Sequence, residues 1–162
     1  MFANMLSGSS DKGFSEHPFA CCVRFLREEA YCVPIILWYE MNRKITDQEV
    51  AERHLVHKRW MGGAEVDARP FLHYLQYLTY GGLGDRDNQL RALDALWSFE
   101  YGARNKINLY HHETALNLLG HCYEIVGEYD FALYYYELSL SGCNSNNAAN
   151  WHVMRMRRLI RG

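Results

Sequence analysis

Cysteine, net charge, long apolar runs and strand-like alternation are all scarce in this chain, and each shortage removes a class of protein. There are five cysteines, an odd number, and none stand as C-x-x-C. That excludes a disulfide framework and points to a reducing compartment. A formal net charge of −2 gives no global pull toward nucleic acid or an anionic membrane. The longest apolar run, Val33 to Tyr39, falls far short of the roughly 20 residues a membrane-spanning helix needs. The opening MFANMLSGSS lacks the basic start and apolar run of a secretory signal. No stretch alternates with period two, and no Asn-Gly or Asp-Gly turn joins two β-branched runs, so no sheet is expected. A protein of the cytoplasm or nucleus, with no membrane segment, is the expectation.

What is present is a globular composition, 49% hydrophobic and 22% charged, in one domain able to bury about 70% of its unfolded surface. Helical spacing runs through most of it. Residues 1–14 carry Gly, Ser and Asn without periodicity and read as a flexible N-terminal tail. Ser15 caps a first helix with Pro18 in its first turn and Phe19, Cys22, Val23, Leu26 and Ala30 on one face. Pro34 interrupts it, and Ile35 to Arg43 forms a short buried second helix. Thr46 with Glu49 makes a capping box for a third, with Val50, His54, His57 and Met61 on one side, ending at Gly62-Gly63. Asp67 opens a fourth, with Pro70 in its first turn and Phe71, Tyr74, Leu75 and Leu78 inward; Asp85 or Asp87 opens a fifth, carrying Leu90, Leu93, Leu96 and Trp97. A loop from Gly102 to Tyr110 follows, and the last helix, Ala148 to Ile160, places Trp151, Met154 and Leu159 on its apolar side.

Between the loop and the last helix, Glu113 to Asn146 has the most legible pattern. Leu116, Leu119, Gly120 and Tyr123 fall on one helix face. Gly127 then closes that helix, because glycine best tolerates the left-handed conformation past a helix end. A second helix starts near Tyr129 with Ala132, Leu133, Tyr136 and Leu140 inward. The small residues Gly120 and Ala132 are expected where the two helices cross most closely. At Leu116, Leu119, Gly120, Tyr123, Gly127, Tyr129, Ala132 and Tyr136 the stretch resembles a tetratricopeptide (TPR) repeat, whose period is about 34 residues. Setting Gly84 against Gly127 puts Tyr80 on Tyr123 and Leu93 on Tyr136, so the fourth and fifth helices read as a degenerate copy, with a bulky Gln89 where Ala132 stands. The expected fold is therefore all-α: about eight helices in antiparallel hairpins, stacked as a short TPR-like α-solenoid. It divides into degenerate hairpins over 15–110 and, over 111–162, the TPR-like hairpin with a C-terminal capping helix.

No set of residues converges on catalysis. His54 and His57, His111, His112, His121 and Cys122 lack the second short-spaced pair that zinc needs. Gly8-Ser9-Ser10 and Asp85-x-Asp87 lie far apart with no strand to bring them to shared metal ions, and the two aspartates suit a helix N-terminus. Gly81-Gly82-Leu83-Gly84 lacks the strand and Lys-Ser/Thr of a phosphate loop. Cys21, Cys22, Cys32, Cys122 and Cys143 show no local signature of a nucleophile. Arg155, Arg157, Arg158 and Arg161 suit a helix C-terminus. No enzyme activity, metal or cofactor is expected.

The TPR resemblance implies a scaffold or adaptor that binds another protein or peptide, or a second copy of the chain. Some TPR proteins hold a C-terminal carboxylate with Lys and Asn of a first helix; the matching positions here are Asn117 and His121, so that clamp is not expected. Tyr134, Tyr135 and Tyr136 are consecutive, so one stripe cannot bury all three. With Tyr136 inward, Tyr134 or Tyr135 faces outward. The candidate partner-binding residues are Asn117, His121, Tyr134, Tyr135 and Trp151. A second resemblance spans YCVPIILWYEMNR, PFLHYLQYLTYGGLGDRDNQLRALDAL and ETALNLLGHCYE with NNAANWH. These segments resemble the helical C-terminal region of cGAS/Mab-type nucleotidyltransferase-family proteins. That resemblance implies a catalytically empty helical end or a truncated relative, without the nucleotidyltransferase sheet.

Overall fold

The computed structural model describes residues 21–43, 48, 51, 62–101, 110–144 and 146–162. Among the described residues the chain is mainly helical, with six helices and one two-stranded sheet. In order these are β1 (Cys22–Phe25), a 3-10 turn (Arg27–Glu29), α1 (Ile35–Met41), β2 (Ala64–Asp67), α2 (Ala68–Leu83), α3 (Arg86–Tyr101), α4 (His112–Ile125), α5 (Tyr129–Gly142) and α6 (Ala149–Arg161). The expected tail, the Ser15 cap, the His54/His57 face of the third helix and nearly all of the loop before His111 lie outside the described residues.

The expectation of a purely helical chain is corrected at Cys22–Phe25, which is a strand and not part of a first helix. It pairs antiparallel with Ala64–Asp67 in the register Cys22 to Asp67, Val23 to Val66 and Phe25 to Ala64. Val23 and Phe25 turn toward the core while Cys22 and Arg24 stay exposed, the alternation of a pleated strand. Phe25 meets Phe71 of α2 edge-on at 5.4 Å. Leu26, counted on the expected helix face, is exposed. A local reading of spacing could not find the partner strand, because Asp67 lies 45 residues from Cys22.

Helix α4 is the centre of the molecule. Every residue from Thr114 to Cys122 is buried, as expected of a helix packed on all sides, and α4 contacts α1, α2, α3, α5 and β2. The hairpins α2/α3 and α4/α5 each pack internally, and α6 closes on α5. Both hairpins turn through the same motif. Gly84 and Gly127 adopt positive φ of 73° and 83°. The amide of Gly84 donates to Gly81 O at 3.2 Å and that of Asp85 to Tyr80 O at 2.9 Å. Gly127 donates to Glu124 O at 3.1 Å and Glu128 to Tyr123 O at 3.0 Å. This is the paired bonding of a Schellman turn, each time with tyrosine as the acceptor one turn back. Asp85 then caps α3, accepting the Asn88 amide at 3.2 Å.

Several inward faces differ from the expected ones. In α2 Tyr77 takes the buried place assigned to Leu75, because its hydroxyl donates to Cys122 O at 2.9 Å. In α3 the buried residues are Gln89, Ala92 and Leu96, whereas Leu90 and Trp97 are exposed. In α6 Ala149, His152, Val153 and Met156 are buried, and Trp151, Met154 and Leu159 are exposed. At the expected close crossing of the two helices, Gly120 faces a ring. A Cβ on Gly120 would stand 2.8 Å from the Tyr136 ring, so glycine there makes room for a tyrosine. Ala132 is buried in the same core.

Candidate protein-interaction face

The end of α4 and the start of α5 bring four aromatic rings together. Tyr123, in the last turn of α4, lies against Phe131 at 5.4 Å and 28° and against Tyr135 at 5.3 Å and 13°. Tyr134 meets Tyr135 nearly perpendicular, at 5.1 Å and 78°. Phe131 and Tyr135 are four residues apart and so share one helix face, which lets a single ring from α4 touch both. The Schellman turn fixes that approach. Of these rings Phe131 and Tyr134 are 55% and 54% exposed. With Tyr135 and Asp130 they line a surface pocket of about 300 Å³, and no described element covers it.

The other candidate residues separate into buried and exposed sets. Asn117 is fully buried; its side-chain amide donates to Glu40 Oε1 at 2.7 Å and to Asn147 Oδ1 at 3.2 Å. His121 is buried with Nδ1 2.7 Å from the Tyr74 hydroxyl, and burial lowers its pKa to about 4. Neither presents its side chain to a partner. Of the tyrosine triplet, Tyr134 faces outward while Tyr135 and Tyr136 are buried. Trp151 is exposed on α6, apart from the residues that line the Phe131 pocket.

Polar groups elsewhere hold helices together. The Asn147 amide donates to Ser139 O, Ser139 Oγ and Cys143 O, while its Oδ1 accepts the Ala149 amide at 2.9 Å, which ties the end of α5 to the start of α6. Burial raises the pKa of Glu40 despite Arg43 and Asn117 beside it. Arg155 donates to Glu124 Oε2 at 2.7 Å, and the Tyr136 hydroxyl donates to the same oxygen at 3.0 Å. His152 stacks on Tyr136 at 4.5 Å and 13°, and burial pushes its pKa down to about 3. Both buried histidines are therefore neutral near pH 7, as packing residues and not as proton donors.

Nucleophile and metal chemistry find little to work with among the described residues. Partial desolvation of the Cys22 thiol, whose residue is exposed overall, and its hydrogen bond to the Asp67 carboxylate push it up to about 11, and burial alone raises Cys122, so neither is poised as a thiolate. No group of three or more His, Cys, Asp or Glu among the described residues is placed to hold a metal ion. No described helix is long and apolar enough to cross a membrane. Compared with protein-family models, with curated proteins and with solved structures, the chain matches none.

Sequence reasoning missed Asp130, Phe131 and Tyr123 as parts of the face. A signal was present: Phe131 and Tyr135 at i and i+4 with a tyrosine just before the turn glycine. Tyr123 is read from the sequence as part of the repeat's inner face, and a lone Phe131 at helical spacing carries no signal of its own, since aromatic residues there usually fill a core.

Proposed function

We propose that this chain is a non-catalytic helical-repeat module that binds another protein through the aromatic face at the start of α5. In this reading α2/α3 and α4/α5 are two TPR-like hairpins and α6 is their cap. The observation that carries it is the pair of large rings, Phe131 and Tyr134, more than half exposed beside the pocket. Exposed aromatics bring contact area at low entropy cost and dominate many interfaces. The repeated Schellman turn at Gly84 and Gly127 supports the two-hairpin part of the reading, since it makes the hairpins copies in their turns as well as in their order.

The test is affinity capture from native extract with three baits: the unaltered chain, Phe131→Ala with Tyr134→Ala, and Arg158→Ala as an exposed control on α6. A partner retained by the control and lost, by at least about tenfold, with the double variant is expected of an interface hot spot. Equal recovery by all three baits, or none by any, would refute the reading.

A further inference from the structure

We propose that the pocket on α5 receives an arginine side chain presented by a partner protein. This rests on the interaction-module reading and names the chemistry the module recognises. The pocket is lined by the exposed rings of Phe131 and Tyr134, the buried Tyr135 and one carboxylate, Asp130, and no lysine or arginine among the described residues lines it. Ring faces carry partial negative charge and attract a cation lying within about 6 Å of the centroid. Asp130 adds a full negative charge that no described side chain pairs with. Burial and the neighbouring Tyr135 push the Tyr123 hydroxyl up to about 12, so the phenol stays neutral and its ring carries no competing titration.

Asp130 also lies in the first turn of α5, where the helix dipole favours a carboxylate with no ligand at all. The dipole does not account for two large exposed rings set beside that carboxylate, and covering them would gain apolar contact area. Of the cations a protein presents, guanidinium fits best. It is flat and weakly hydrated, so it stacks on a ring face, and its N–H fork matches a carboxylate edge. The exposed rings of Phe131 and Tyr134 give it faces to lie on beside Asp130, with the buried Tyr135 holding Tyr134 edge-on.

The experiment titrates isotope-labelled full-length protein with acetyl-arginine amide, acetyl-citrulline amide, acetyl-lysine amide and choline, following backbone amide resonances. The arginine compound is expected to shift Asp130 to Tyr135 saturably. The uncharged citrulline compound, of nearly the same shape, is expected to bind about tenfold more weakly, with the lysine compound and choline in between. Asp130→Asn and Tyr134→Ala, both on exposed side chains, should each lower arginine affinity by about fivefold to tenfold and leave the distant resonances unchanged. Citrulline binding as well as arginine, choline or the lysine compound binding as tightly, or no shift in the pocket would overturn the proposal. If a partner still depends on Phe131 and Tyr134 while arginine leaves the pocket unmoved, the module stands and the guanidinium assignment falls. If arginine binds and no partner depends on the face, the module reading falls instead.

Discussion

The two hairpins share a turn and differ in what fills them. At Gly84 and at Gly127 the backbone closes through the same two hydrogen bonds. Beyond the turn α2/α3 is a half-exposed pair whose inner contact is the Gln89 side chain reaching Gly81. In α4/α5 the inner contact is the Tyr136 ring on Gly120, itself held by His152 and Glu124. A flexible polar side chain can move aside; a ring stacked on one neighbour and bonded to another cannot. Turn chemistry thus sets the hairpin, while side-chain rigidity at the crossing decides how much depends on it.

Acid should act most strongly, and on the side of α4/α5 that α6 covers. His121 on α4, bonded to Tyr74 of α2, and His152 on α6, stacked on Tyr136 of α5, have pKa values of about 4 and about 3. A histidine whose folded pKa is depressed stabilises the fold above its unfolded value and loses that contribution as pH falls. Between pH 7 and pH 5 each should cost about 2 kcal/mol, from 1.36 kcal/mol per unit below the unfolded value near 6.5. Glu40 works the other way, since its raised pKa favours the folded state at low pH. Denaturant unfolding at the two pH values should therefore show a loss that His152→Phe roughly halves and Glu40→Gln steepens. Hydrogen exchange at pH 5 should open α5 and α6, which His152 joins, before α3, which neither histidine touches in any described contact. An acid loss unaltered by His152→Phe would break this account of the core.

The crossing glycines come next. Gly120→Ala should destabilise by about 1–3 kcal/mol, because the Tyr136 ring has nowhere to go. Gly81→Ala should be neutral or stabilising by up to about 1 kcal/mol, since alanine is the better helix former and Gln89 can swing away. Thermal unfolding of both variants reads the difference. Equal effects would mean that the two hairpins cross alike. Smaller still, Gly84→Ala and Gly127→Ala should each cost about 1 kcal/mol for placing a side chain at positive φ. Their near-equality is the prediction, and a cost at only one site would show that the turns are not equivalent.

Features fixed within a few residues were legible from sequence: the turn glycines, the start at Tyr129, Pro70 in the first turn of α2 and the Asp85 cap. Features that depend on a distant partner were not. Cys22–Phe25 reads as helix until β2 arrives to pair with it. Asn117 and His121 look like surface residues until Glu40, 77 residues away, and Tyr74, 47 away, bury them in hydrogen bonds. Asp67 reads as a helix cap, but its carboxylate instead accepts the amides of Tyr110 and His111, ahead of α4. On α6 the apolar residues Trp151 and Met154 stay outside while His152 goes in, because Tyr136 offers a ring to stack on. Of the candidate face, the outward turn of one tyrosine was legible; the pocket made with Phe131 and Asp130 needed the α4 ring beneath it.

Photocrosslinking from position 134 tests the interaction face most directly. A photoreactive phenylalanine in place of Tyr134 should yield a discrete crosslinked partner in native extract, and the same group in place of Leu83 should not, although Leu83 is also exposed. No adduct at position 134, or the same adducts from both positions, would contradict the claim that this face is where the protein meets its partner.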